Sequence, residues 1–130
     1  MPTTGPSVLL VTDAVWVEND VRASLTDRGT VINRVADPNL VVEAALQHSS
    51  EVAVIDLQVG SMGGMAVVRA LKAAADNGEI GSLHTVLLLD READLFIAHR
   101  AGADAAVVKP FTGQELRAAA LSTAAAAPLH

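Results

Sequence analysis

A chain of 130 residues, 51% hydrophobic and 18% charged, is long enough to bury a core as one domain and too apolar to remain disordered. Its formal net charge of −6, without any run of Lys and Arg, argues against an electrostatic grip on nucleic-acid phosphates. The absence of cysteine excludes disulfides, a thiolate nucleophile and a zinc ribbon. Residues 1–6 lack the charged start and apolar core of a signal peptide, and no apolar run is long enough to cross a bilayer, so the expectation is a cytoplasmic protein without a membrane partner.

In chain order, Ser7 to Val11 reads as a first buried strand ending in Thr12 and Asp13. Over 15–28 the spacing of Val17, Val21 and Leu25 predicts an amphipathic helix, with Gly29 as its C-terminal cap. Residues 30–35 are less apolar, interrupted by Asn33 and Arg34, and suit an edge strand. Asp37-Pro38 is a helix start leading into 40–48. Val52 to Ile55 is a continuous apolar run that stops at the carboxylate of Asp56, followed by a glycine-bearing loop and a helix over 65–75, halted by Asn77-Gly78.

A third strongly apolar strand, 85–89, also ends in a carboxylate, Asp90. A helix follows, closed by Gly102, and then a short strand, 105–108, running into Lys109-Pro110. Thr112-Gly-Gln-Glu115 is a capping box that opens an alanine-rich helix fading near Pro128. Strands alternating with helices imply a doubly wound, five-stranded parallel α/β sheet. The order 2-1-3-4-5 puts the polar second strand at an edge and the topological switch point between strands 1 and 3. Asp13 and Asp56 then meet at the carboxyl ends of neighbouring strands, joined by Asp90 and Lys109 from strands 4 and 5.

Three carboxylates in one crevice repel, each close pair by ~4 kcal/mol at 4 Å in a surface-like dielectric. Their neutraliser is Lys109, a hard divalent cation such as Mg²⁺, or both. A carboxylate beside such charges is set up to attack phosphorus and form an acyl phosphate.

Here the chain resembles a known family. Asp13 after the first strand, Asp56 with downstream Met62 and Gly64, Ala101-Gly102-Ala103-Asp104, and Lys109-Pro110-Phe111 resemble the receiver domain of two-component response regulators, over 8 to about 121. The resemblance implies a flavodoxin-like (βα)5 fold and a phosphoacceptor at Asp56, charged by a histidine kinase. It further implies Mg²⁺ held with the help of Asp13 and the Gln58 carbonyl, Lys109 paired with the phosphoryl group, and a cis Lys109–Pro110 bond. A downstream target protein, or a second copy in a homodimer, would use the face of helix 4, strand 5 and helix 5. The implied protein is an atypical stand-alone regulator acting by protein contact.

The departures from the family pattern concentrate at the switch. Thr12 stands where an acid is usual, Gly60 replaces the loop proline, and the connection from Asp90 to Gly102 looks short. Asp90 replaces the hydroxyl that grips the phosphoryl group, and Ala106 replaces the aromatic switch residue. A carboxylate at that place repels a phosphoryl group or competes with it for Lys109. The rival reading is therefore a phosphorylation-independent pseudo-receiver locked by an Asp90/Lys109 pair. A flavin or nucleotide binder is disfavoured by the lack of a phosphate-cradling glycine loop, and a phosphatase by the lack of a second acid two residues past Asp13 or Asp56. Simpler roles stand beside these: Asp90 as a helix cap, the histidines as surface or loop residues, Phe96 and Phe111 as packing, and Trp16 as an overhang at the crevice or a staple at a helix start.

Overall fold

The computed structural model describes residues 6–26, 30–59 and 63–121. Its strands are β1 (Ser7–Val11), β2 (Val31–Val35), β3 (Val52–Asp56), β4 (His84–Leu89) and β5 (Ala105–Val108). Its helices are α1 (Val15–Leu25), α2 (Val41–Gln47), α3 (Gly64–Asp76), α4 (Leu95–Ala101) and α5 (Gly113–Leu121). All strand pairs are parallel, in the order β2-β1-β3-β4-β5. This is the order expected from the edge-strand character of β2, whose residues are all partly or largely exposed.

Successive side chains of a strand face opposite sides of the sheet, and the core divides accordingly. Val8, Leu10, Val54, Val86 and Leu88 are sealed by Val17, Val21 and Leu25 of α1 and Leu116 of α5. Leu9, Val11, Ile55, Leu87 and Leu89 are sealed by residues of α2, α3 and α4 such as Val41, Val67, Leu71 and Ala98. Because both faces of β1, β3 and β4 are covered, these strands read as unbroken apolar runs. Burial on both faces leaves the carboxyl-end edge as the place where polar groups can collect.

Several element boundaries differ from the sequence reading. Helix α1 ends at Leu25, because Thr26 leaves helical geometry (ψ 88°) while its N–H still bonds to the Arg22 carbonyl; the proposed cap, Gly29, lies outside the described residues. Asp37 caps as expected, accepting from the Asn39 N–H, but it opens a 3-10 turn at Pro38–Leu40 before α2 begins. Likewise α4 begins only at Leu95, after a 3-10 turn at Glu92–Asp94. Gly102 closes α4 in the left-handed conformation (φ 81°), where a side chain would be strained. The capping box is complete: the Thr112 N–H donates to Glu115 Oε1 at 2.8 Å, and the Glu115 N–H to Thr112 Oγ1 at 3.0 Å. The fading of the last helix near Pro128 falls outside the described residues, as do Gly60 and Met62. Among the described residues, no helix is long and apolar enough to cross a membrane.

Candidate functional site

The register carries the site. Val11 pairs with Ile55, so Thr12 lies beside Asp56 and Asp13 one residue beyond. Leu89 pairs with Val108, and the Lys109 N–H donates to the Leu89 carbonyl at 2.8 Å, which sets Asp90 and Lys109 side by side past the last rung. The Lys109–Pro110 peptide bond is cis. Four strand ends thus deliver Thr12, Asp56, Asp90 and Lys109 to one edge.

Asp56 is buried, with its side chain 3% exposed, and both of its oxygens are engaged. Oδ1 accepts from Lys109 Nζ at 2.7 Å and from the Gln58 N–H at 3.3 Å. Oδ2 accepts from the Thr12 hydroxyl at 2.9 Å, and that hydroxyl itself accepts the Ala14 N–H at 3.1 Å. A carboxylate removed from water requires such donors, and here a lysine, a hydroxyl and a backbone amide supply them. The β3–α3 turn that aims the Gln58 amide depends on Gly64: a Cβ there would lie 2.5 Å from the Asp56 carbonyl oxygen.

Lys109 Nζ bridges two acids, reaching Asp90 Oδ1 at 3.0 Å as well as Asp56, and its side chain is only 8% exposed. The Trp16 ring centroid lies 5.5 Å from the same nitrogen, within cation–π range. Desolvation pulls the Lys109 pKa down, but the hydrogen bonds and charges of Asp56 and Asp90 outweigh it and hold the ammonium above its ordinary 10.5. The lysine therefore stays charged at neutral pH.

The residues expected to hold a cation, Asp13, Asp56 and the Gln58 carbonyl, would offer only oxygen donors, two of them carboxylates. That suits Mg²⁺, which takes one or two carboxylates and keeps several waters. Among the described residues, no group of three or more His, Cys, Asp or Glu side chains is placed to hold a metal. Asp13 is exposed and Asp56 is not, so an ion would approach from the solvent side.

Of the residues singled out in the sequence, Asp56, Asp90 and Lys109 share direct contacts, and Gln58 joins through its backbone amide. Ala106 is half-buried and packs on the α3/α4 side of the core. Asp90 is not a helix cap: the cap positions of the following turn and of α4 are Arg91 and Asp94, neither with a side-chain capping bond. Trp16 lies in the first turn of α1, 57% exposed, with its ring near Lys109 Nζ. Phe96 is 59% exposed and so is not packing, whereas Phe111 does pack against the core. His84 is half-buried in β4, with Nε2 2.7 Å from the Ala119 carbonyl, rather than a surface or loop residue.

Two contributions were missed in the sequence. Thr12 is more than a lost acid, because it is the hydroxyl donor to Asp56. Arg34, read as an interruption of β2, reaches across to the Thr12 carbonyl at 3.2 Å and to Glu18 at 3.5 Å, bracing the turn that carries Asp13. A charged residue in the polar edge strand was the only visible signal.

A doubly wound parallel sheet with acids and a lysine at its carboxyl edge defines a class, and the comparisons name it. The family model for the response regulator receiver domain matches residues 8–121, and the chain belongs to that family. It is 29% identical over 114 residues to the two-component response regulator PhoP of Pseudomonas aeruginosa, covering 85% of this chain and 48% of that protein. The chain thus spans about half the length of this curated relative. In fold it is similar to the chemotaxis response regulator CheY4 of Vibrio cholerae (TM-score 0.73, 23% identity, covering 87% of this chain and 93% of that one). It is also similar in fold to the BeF3-activated receiver domain of DrrB from Thermotoga maritima (TM-score 0.71, 20% identity, covering 87% and 92%). The chain is a receiver domain of two-component signalling.

Proposed function

We propose that this receiver accepts a phosphoryl group on Asp56. The observation that carries the reading is the buried Asp56 carboxylate held 2.7 Å from a lysine that remains protonated. A carboxylate oxygen attacks phosphorus, the bond from phosphorus to the leaving group breaks, and the leaving group departs with that electron pair. Lys109 neutralises the charge arriving on the phosphoryl oxygens, and Thr12 and the Gln58 amide keep the carboxylate oriented. Asp13, Asp56 and the Gln58 carbonyl would hold Mg²⁺, which when bound supplies further charge neutralisation at the phosphoryl oxygens. The phosphoryl source is a histidine kinase, and a downstream protein reads the face built by α4, β5 and α5. Domain organisation follows the same reading: residues 1–130 make up a single receiver domain.

A second reading is favoured by one specific contact, the 3.0 Å pair between Lys109 and Asp90. In it the pair holds one conformation and partner binding needs no phosphoryl group. Intact-mass analysis after incubation with Mg²⁺ and acetyl phosphate separates the two. A single phosphoryl adduct on the parent and none on Asp56→Asn is the expected result. An unmodified parent refutes the acceptor reading and leaves the locked module.

A further inference from the structure

Asp90 is the charged group at this edge that acceptor chemistry does not use. Its side chain is 40% exposed, yet it is bound to a lysine only 8% exposed. The ammonium therefore has two tenants of unequal standing. Asp56 is buried and fixed by three donors, whereas Asp90 can withdraw to water at little desolvation cost. The Thr12 hydroxyl has a single proton, committed to Asp56 while its oxygen accepts the Ala14 N–H. When a phosphoryl group arrives on Asp56, the cation at hand for its oxygens is Lys109, and the anion in the way is Asp90.

Asp90 also has something to transmit. It follows directly on β4 and leads into a self-braced turn, in which the Asp94 N–H bonds to the Arg91 carbonyl and Arg91 Nη2 lies 3.1 Å from Asp94 Oδ1. Asp94 is buried although Arg91 is not, so the turn is anchored at its α4 end. The Asp90–Lys109 bond ties its other end to β5.

We propose that Asp90 is a tethered anion occupying Lys109 in the free protein, displaced when a phosphoryl group takes the lysine. This rests on the reading of Asp56 as acceptor. Displacement unties the segment between β4 and α4, so phosphorylation releases this segment rather than drawing it in. As a negative charge beside the incoming group, Asp90 also determines specificity, disfavouring donors in proportion to their negative charge. Asp56 attacks either kind of small donor with balanced chemistry: the P–O bond of acetyl phosphate breaks and acetate leaves, or the P–N bond of phosphoramidate breaks and ammonia leaves.

The test compares the parent with Asp90→Asn and Asp90→Glu. Labelling by acetyl phosphate, a dianion, and by phosphoramidate, a monoanion, is timed by intact mass, and amide exchange over 91–95 is followed in parallel. Asp90→Asn should accelerate labelling roughly tenfold with acetyl phosphate and roughly threefold with phosphoramidate, since the repulsion removed scales with donor charge. Asp90→Glu, which keeps the charge, should stay within about twofold of the parent. Amides 91–95 should exchange several-fold faster in free Asp90→Asn than in the free parent, and beryllofluoride should raise the parent to the variant's rate. Equal acceleration with both donors, no acceleration, unchanged exchange in Asp90→Asn, or slower exchange with beryllofluoride would each overturn the proposal. Absence of any adduct in all three proteins would instead remove the acceptor reading, and the exchange rates of the free proteins would still decide the tether.

Discussion

Replacing Lys109 by Met removes the cation from a cluster that then holds one buried carboxylate and one half-exposed carboxylate. The gross attraction lost between Nζ and Asp56 Oδ1 at 2.7 Å is about 6 kcal/mol at an effective dielectric of 20. Most of it offsets the desolvation of an ammonium that is only 8% exposed, and removing one partner of a buried pair costs about 3–5 kcal/mol. Asp56 retains the Thr12 hydroxyl and the Gln58 amide, which places the expected loss at the lower end, about 3 kcal/mol. Urea unfolding at pH 7 measures it. The double variant Asp56→Asn/Lys109→Met should recover at least about 1 kcal/mol of the loss, because it no longer buries an uncompensated charge. The pH dependence follows from the raised Lys109 pKa. A raised folded value means that its stabilisation is fully present below the unfolded 10.5 and disappears as pH climbs through the higher folded value. The gap between parent and Lys109→Met should therefore be flat across neutral pH and shrink only above 10.5. A loss below about 1 kcal/mol, or a double variant no more stable than Lys109→Met, would show that the Lys109–Asp56 pair does not hold this edge together.

Two further substitutions probe the elements that position the site. Gly64→Ala would set a Cβ 2.5 Å from the Asp56 carbonyl oxygen and 2.8 Å from the Leu57 Cα; both neighbours are backbone, so the β3–α3 turn has to shift. The expected cost is about 2–3 kcal/mol, with slower labelling of Asp56, and urea unfolding that shows no loss would contradict the crowding. Thr112→Ala opens the capping box of α5 and should cost about 1 kcal/mol by the same assay without altering labelling. A change in labelling rate there would mean that the start of α5 is coupled to the site.

The architecture was legible because both faces of β1, β3 and β4 are covered. Strands buried on both sides must be apolar throughout, so runs such as Val52 to Ile55 declare themselves, and the polar character of 30–35 marks the edge strand. Capping at Asp37 and Thr112 was legible for a similar reason: the interaction spans two or three residues and needs no knowledge of the rest of the chain. Helix ends were less so, since Thr26 and the turns at Pro38–Leu40 and Glu92–Asp94 are settled by packing and local backbone geometry rather than by side-chain period.

The sequence by itself determined which residues stand at the carboxyl ends of the strands, because each apolar run stops where its polar residue begins. Only the tertiary structure decided how those residues divide their hydrogen bonds. Thr12 and Asp56 are separated by 44 positions, and Lys109 and Asp56 by 53; no local pattern says that the hydroxyl takes one oxygen of Asp56 and the lysine the other. The same holds for Asp90, whose position before a helical segment fits a cap equally well in sequence. Strand register, which places Leu89 opposite Val108, turns it instead towards Lys109. Arg34 makes the point from the edge of the sheet, since its contact with the Thr12 carbonyl exists only because β2 lies beside β1. Side-chain chemistry is written residue by residue, but the choice among competing partners depends on distances that arise only when distant strands are laid side by side.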